Sequence, residues 1–472
     1  MSLRPMSAVV IALLSVGCAP RSHASEVDQV GRLSHRQPLP DVLKRDPELI
    51  PPRETQELLQ GTLTADDAAR IALSSNRELR AMLREIGIAE GEYIQAGVLP
   101  NPLLELEMAP ERESQMELRL EYDLTSALLA PKQAASKRPE VQAARFRAAD
   151  TVLLTAARAR IAYLEAQAAR KRLSLANLVV DTFAAERDAA EALAQSGNVP
   201  AIELAERAAA YEQARLVVAE LEIQDISARE RLIRTLGVFG SDAAFTLAEE
   251  LPDLPELAEL PPALEAKALE TSLALRASQA HLEALSKSTG YHRLAGALPD
   301  VAVDIHALRR NPNNQDVVSG QSEWRLGGGL SVALPLFDRR QGTVKSVESA
   351  YDAALERHVG FATDLRSEVR ELGGHLLGAH HRALHLKRTV VPAQEELLKQ
   401  TLLQYNAMQV GVFSLLSAHR KQLDMELSAI EAITDFWTAR TKLDVLLQGG
   451  SIEVSNSLDQ RTTFSQNDTG GH

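Results

Sequence analysis

The chain has 472 residues, a length that ordinarily spans two or three domains. Aromatics are only 4% while the apolar set reaches 45%, so the apolar content is mostly Ala, Leu and Val, a composition that favours long helices over a thick aromatic core. The net charge of −13 excludes the basic footprint of a nucleic-acid binder, and the single cysteine excludes an intramolecular disulfide or a Cys-rich metal site.

The first element is an address. Arg4 gives a short positive region and Ala8–Leu14 an apolar stretch of signal-peptide length, too short to span a bilayer. Ser15-Val16-Gly17-Cys18 follows and resembles a bacterial lipobox, in which the thiol is lipidated and becomes the mature first residue; Ser15 stands where Leu is usual. This divides the start into a lipoprotein signal peptide, 1–17, and a lipid-anchored strap, 18–60, whose prolines (Pro38, Pro40, Pro47, Pro51, Pro52) suit an extended path. No run of 18 apolar residues lies beyond the N-terminus, which excludes a multi-span helical membrane protein.

From there the chain is written twice. Ala96-Gly97-Val98-Leu99-Pro100 returns as Ala295-Gly296-Ala297-Leu298-Pro299, about 200 residues later. Ala72-Leu73 with Leu79-Arg80-Ala81 returns as Ala268-Leu269 with Leu275-Arg276-Ala277, Gly197 pairs with Gly411, and Gly237 with Gly449. The first repeat spans 61–240 and the second 260–449; a polar tail, 450–472, has the composition of a disordered segment.

Each repeat opens on an amphipathic helix, roughly 64–96 and 262–290. Thr64 followed by Asp66 and Asp67 marks a capped start. Next comes a β-hairpin, 102–124 in the first repeat and 300–335 in the second. Met116–Leu124 alternates without a fault: Met, Leu, Leu, Tyr and Leu on one face, Glu117, Arg119, Glu121 and Asp123 on the other. Leu103–Met108 is its antiparallel partner. In the second hairpin one strand carries Val301, Val303, Ile305 and Ala307 on one face, and its partner Trp324, Leu326, Gly328, Leu330, Val332 and Leu334. These lengths suit tilted transmembrane strands of about 9–11 residues, and a half-buried soluble sheet alternates in the same way. Four strands cannot close a barrel alone, so a membrane role requires several chains to pool them, with the charged residues facing a wet lumen.

Long helices complete each repeat. Glu140–Ser196 and Ala201–Leu236 contain no Gly or Pro and run about 85 and 54 Å if helical. Gly197-Asn198-Val199-Pro200 separates them. Ala156, Ala157, Ala159, Ala162, Ala166, Ala168 and Ala169 predict close helix packing. Val412–Gln448 is the matching run, whereas Gly360, Gly373, Gly374 and Gly378 predict a bend in the helix before it. His375, His380, His381 and His385 cluster there; the spacing of the last two permits a shared ligand, but exposed surface histidines are the commoner reading, and no metal site is assigned. No catalytic triad, phosphate loop or Cys-based site stands out, and Gly327-Gly328-Gly329 falls inside a strand; neither an enzyme nor a cofactor is expected.

The order of these motifs resembles the TolC family of outer-membrane efflux proteins. Leu63-Thr64 with Ala68–Asn76, Leu99-Pro100-Asn101-Pro102, Leu334-Pro335-Leu336-Phe337-Asp338 and Tyr405 through Ala418 carry the likeness over roughly 60–450. The resemblance implies a mainly α protein with a transmembrane β part. Four strands per protomer would contribute to a shared 12-stranded outer-membrane barrel in a homotrimer, above a long α-helical barrel. It implies a periplasmic adaptor and an inner-membrane pump as partners, outer-membrane lipid around the strands, and lipid attachment at Cys18. Adaptor-docking helix tips map to Gly197, Asn198, Val199 and Pro200 and to Gly411, Val412 and Phe413, with Glu203 as an aperture residue. Met408 stands where Gly is frequent in the family, and Ser414 and Ser417 where acids are. The heavy-metal branch is the nearest in general look. A soluble periplasmic coiled-coil scaffold or adaptor is the alternative, which explains the helices but not the paired strands.

Overall fold

The computed structural model describes residues 22–34, 39–44, 53–109, 115–196, 199–256, 260, 263–310 and 323–452. Cys18, Gly197, Asn198 and nearly all of the polar tail lie outside them. The chain divides into two compact units. Of the described residues, the first holds those from 22 to Glu26, within Leu83–Phe146 and within Leu275–Phe361; the second holds those within Val27–Met82, within Arg147–Ala274 and from Ala362 to 452.

The elements, in order, are α1 (His23–Leu33), a 3-10 turn (Asp41–Lys44), α2 (Arg53–Gln60), β1 (Thr62–Leu63), α3 (Ala65–Ser75), α4 (Arg77–Gly97), β2 (Leu103–Ala109), β3 (Gln115–Asp123), α5 (Leu124–Gln195) and α6 (Ala201–Leu236). The second series is β4 (Thr246–Leu247), α7 (Leu264–Thr271), α8 (Leu273–Ala297), β5 (Asp300–Arg310), β6 (Glu323–Ala333), α9 (Gln341–His385), a π turn (Leu386–Val390), α10 (Val391–Asn406) and α11 (Val412–Leu447). The described part of 18–60 is thus largely helical, not extended, because Val27, Val30, Leu43 and Leu59 are apolar residues buried on one side of these short helices.

In the first unit, β2, β3, β5 and β6 form one antiparallel sheet in that order. Thr125 joins the two hairpins: its hydroxyl donates to the Pro299 carbonyl (3.0 Å) and accepts from the Val301 amide (2.8 Å). The repeated Ala-Gly-x-Leu-Pro motif has a steric basis. A Cβ on Gly97 would lie 3.3 Å from Ala134 Cβ, and one on Gly296 would lie 2.0 Å from the Arg339 carbonyl oxygen. In each repeat the glycine lets the outgoing helix meet the chain returning from its hairpin. Helix α5 starts at Leu124 rather than Glu140 and runs through Pro131 and Pro139. Asp123 caps it through the Ser126 amide (2.8 Å). Each interior proline costs about 3 kcal/mol, which burial of Leu129, Ala130, Val141, Ala143 and Ala144 offsets.

The second unit holds the main core, in which Leu63, Ile71, Ala159, Ala162, Leu232 and Leu236 pack together. All seven alanines singled out on α5 are buried. Thr64 caps α3 in a reciprocal box with Asp67. The closing glycines again play matching parts. Gly237 (φ +71°) and Gly449 (φ +95°) adopt left-handed backbone where a Cβ would strike the Ser75 and Thr271 carbonyl oxygens at 2.9 and 2.3 Å. Those two residues end α3 and α7, where each opening helix breaks. The glycines of α9 bring no break or unwinding: the helix is continuous through Gly360, Gly373, Gly374 and Gly378. Leu365, Val369, Leu376, Ala379 and Ala383 form a buried stripe along its face. The irregular turn is the π turn just before Pro392, whose ring and missing N–H disfavour a regular α-helical turn.

Candidate functional site

Two groups of side chains stand apart from the core, one in each unit. The first is the sheet. Its register places Leu104, Leu120, Ile305 and Gly328 in one row and Leu106, Leu118, Ala307 and Leu326 in the next. The leucines and Ile305 of these rows are exposed, from 37% at Leu118 to 82% at Leu326, and Ala307 is half-buried. Trp324 lies toward one end of this face, under the Arg309 guanidinium (5.8 Å), and Tyr122 toward the other. The opposite face carries Glu105, Glu107, Glu117, Arg119, Glu121, Asp304 and His306. Arg119 is 3.1 Å from Glu117, and His306 donates from Nδ1 to Asp304 Oδ2 (3.0 Å). Among the described residues, the outer edges of β2 and β6 have no neighbouring strand.

The second group lies in the helical unit. Pro200 caps α6 in extended conformation, and Glu203 sits in the first turn. Arg207, one turn on, is the hub. Its Nη2 donates to Glu203 Oε1 (3.1 Å) and to the Tyr405 hydroxyl, and its Nη1 to the Glu186 carbonyl (3.5 Å). Four helices therefore meet at one buried guanidinium or beside it: Glu186 from α5, Arg207 from α6, Tyr405 from α10 and His419 from α11. His419 Nε2 lies 3.8 Å from Glu186 Oε1, and its ring stands edge-on to Phe183. Burial raises the Glu186 carboxyl above its usual range, opposed by the Arg207 charge, and burial lowers the His419 imidazole. Both shifts favour the uncharged forms.

At the turn between α10 and α11, Val412 is buried whereas Phe413 and Met408 project, 67% and 95% exposed. Gly411 is extended (φ −81°), and the left-handed position is taken by Met408 (φ 55°). Of the tip residues expected from sequence, Val199, Pro200, Gly411, Val412 and Phe413 fall in turns or helix starts. Sequence inspection missed Arg207, Glu186 and His419, and named Tyr405 only as the start of a motif. The one local signal was the i,i+4 spacing of Glu203 and Arg207. His380, from the histidine cluster, hydrogen-bonds through Nε2 to the Pro255 carbonyl (3.0 Å) and packs on Phe436. Among the described residues no group of three or more His, Cys, Asp or Glu is placed to hold a metal ion, and no helix is long and apolar enough to cross a membrane.

No family model matches the chain. It is 26% identical over 395 residues to the cobalt-zinc-cadmium resistance protein CzcC of Cupriavidus metallidurans, covering 82% of this chain and 90% of that protein. Its fold matches the outer-membrane channel OprN at a TM-score of 0.66, with 18% identity over 84% of this chain and 92% of that one. It matches the CmeC outer-membrane channel of Campylobacter jejuni at 0.68, with 14% identity over 84% and 88%. In sequence and in fold alike this chain is TolC-like, as the order of its motifs implies.

Proposed function

We propose that this chain is the outer-membrane exit duct of a tripartite efflux system, conducting its cargo passively rather than transforming it. The observation that carries this reading is the sheet: one face apolar and exposed, the other charged and, among the described residues, both edges without a partner strand. Water does not favour such a face, and lipid does not tolerate such edges, because unpaired backbone groups find no partner there. Three copies pooling four strands each remove both problems at once. Strands β3, β5 and β6 are 9, 11 and 11 residues long, suited to a tilted crossing, while β2 is described over 7; Trp324 and Tyr122 stand toward opposite ends of the apolar face, as interfacial aromatics would. Glu117, Arg119, Glu121 and Asp123 then line a wet lumen. Cys18, lipidated, anchors each copy to the outer membrane, and the helical part extends into the periplasm. Residues 197–200 and 411–413 meet the adaptor, with Glu203 at the aperture, and an inner-membrane pump supplies the energy.

Heavy-metal cations are the cargo we favour over drugs, on the strength of the relation to CzcC. The test is a deletion strain challenged with cobalt, zinc, cadmium, copper and silver and with unrelated antibiotics. Metal sensitivity restored by the wild-type gene supports the reading. Antibiotic sensitivity alone moves the cargo to small toxic compounds, and no phenotype in a strain lacking other exit ducts argues against efflux.

A further inference from the structure

The row Glu105–Arg119–His306 on the charged face of the sheet ends, on β6, at Gly327; the row Leu103–Glu121–Asp304 ends at Gly329. Neither position has room for a side chain. A Cβ on Gly327 would lie 2.4 Å from His306 Nε2 and 2.9 Å from its Cε1. One on Gly329 would lie 2.2 Å from Asp304 Oδ1 and 3.0 Å from its Cγ. The missing volume is filled by these two β5 side chains, which lie down across the β6 backbone and are joined by the 3.0 Å hydrogen bond. Gly328, between them, belongs to the apolar face; a Cβ there meets only the Asp304 carbonyl oxygen, at 3.3 Å. Glycine weakens a strand, and a ring laid over a facing glycine recovers part of that loss by covering the bare backbone.

We propose that Gly327 and Gly329 set the bore of the membrane-spanning part of the duct. They hold the Asp304–His306 pair folded onto the wall and out of the solute path. The inference rests on the duct reading above. The atoms in conflict are the ends of side chains rather than backbone, so a Cβ at 327 or 329 displaces the pair and leaves the strand ladder intact. The displaced carboxylate and imidazole turn outward on the charged side, beside Glu105, Arg119 and Glu121. Gly327 and Gly329 are positioning residues: they act through Asp304 and His306.

The full-length protein in detergent carries the test, as wild type, Gly327→Ala, Gly328→Ala and Gly327→Ala combined with His306→Ala. Two quantities are read: the rate at which diethyl pyrocarbonate modifies His306, followed by peptide mass spectrometry, and the unit conductance in a planar bilayer. Gly327→Ala is expected to raise His306 reactivity severalfold and to lower conductance. Gly328→Ala is expected to do neither, and the double variant to recover wild-type conductance. Should Gly327→Ala fail to assemble, Gly329→Ala with and without Asp304→Ala makes the same conductance comparison; failure of both sets to assemble overturns the inference, since the glycines would then serve folding. Equal effects from Gly328→Ala, or no recovery in the double variant, overturn it too. A wild-type protein that does not conduct refutes the duct reading, whereas a conducting wild type with indifferent variants refutes only this inference.

Discussion

Asp150 offers the sharpest quantitative test of how the second repeat is closed. It lies on α5, 301 residues from its partner, and accepts hydrogen bonds from the Ser451 amide (2.6 Å) and hydroxyl (2.8 Å). Burial pushes its carboxyl up from 3.8 to about 6, against the pull of those two donors. A group raised in this way binds its proton more tightly in the folded state. Its contribution to stability is complete below pH 3.8 and is lost as the pH rises through about 6. The gap corresponds to roughly 3 kcal/mol at ~1.36 kcal/mol per pH unit. Asp150→Asn keeps the shape, can accept from the Ser451 amide and donate to its hydroxyl, and does not titrate. We expect the variant to gain on the wild type by up to about 3 kcal/mol between pH 4 and pH 7.5. The assay is thermal dissociation of the detergent-solubilised assembly at both pH values, wild type beside variant, so that the titration of other carboxylates cancels. A difference in midpoint that is the same at pH 4 and pH 7.5 would mean that Asp150 does not titrate with a raised pKa in the folded protein.

Three further outcomes follow from the geometry. Arg207→Ala removes charge-assisted hydrogen bonds to Glu203 and Tyr405, worth about 1.5–3 kcal/mol each; bilayer recordings should show a larger open fraction from an assembly that still forms, and an unchanged open fraction would separate this cluster from the aperture. Met408→Gly relieves a left-handed backbone at an exposed turn and should stabilise by about 1 kcal/mol, since a non-glycine residue there costs ~1–2 kcal/mol; Met408→Ala, which keeps the Cβ, should not. Gly449→Ala drives a Cβ to 2.3 Å from the Thr271 carbonyl oxygen at φ +95° and should lower the dissociation temperature, whereas Gly411→Ala, with open space and ordinary φ, should leave it unchanged.

What could be read from the sequence was what is local and periodic. The alternation of Met116–Leu124 marks a strand because side chains on a strand repeat every two residues, and the structure places those residues on two chemically distinct faces. The paired Ala-Gly-x-Leu-Pro motifs were visible as words, but their reason, the meeting of Gly97 with Ala134 and of Gly296 with Arg339, required the fold. Propensity misled where burial outweighed it: α5 continues through Pro131 and Pro139, and α9 through four glycines. Arg207 and Tyr405 are 198 residues apart. No spacing rule joins them, because their contact arises only when helices from both repeats pack together. The notches at Gly327 and Gly329 were equally hidden, since the triplet reads simply as glycine in a strand until the register across β5 is known.

We propose that conduction belongs to three chains closing one barrel from a sheet of four strands each. Native mass spectrometry of the detergent-purified, full-length protein, released from its micelle, counts the chains. A species of three chains is expected, one that loses its heat resistance and its bilayer conductance together when dissociated. A stable single chain that conducts, or one that remains soluble without detergent, would contradict it.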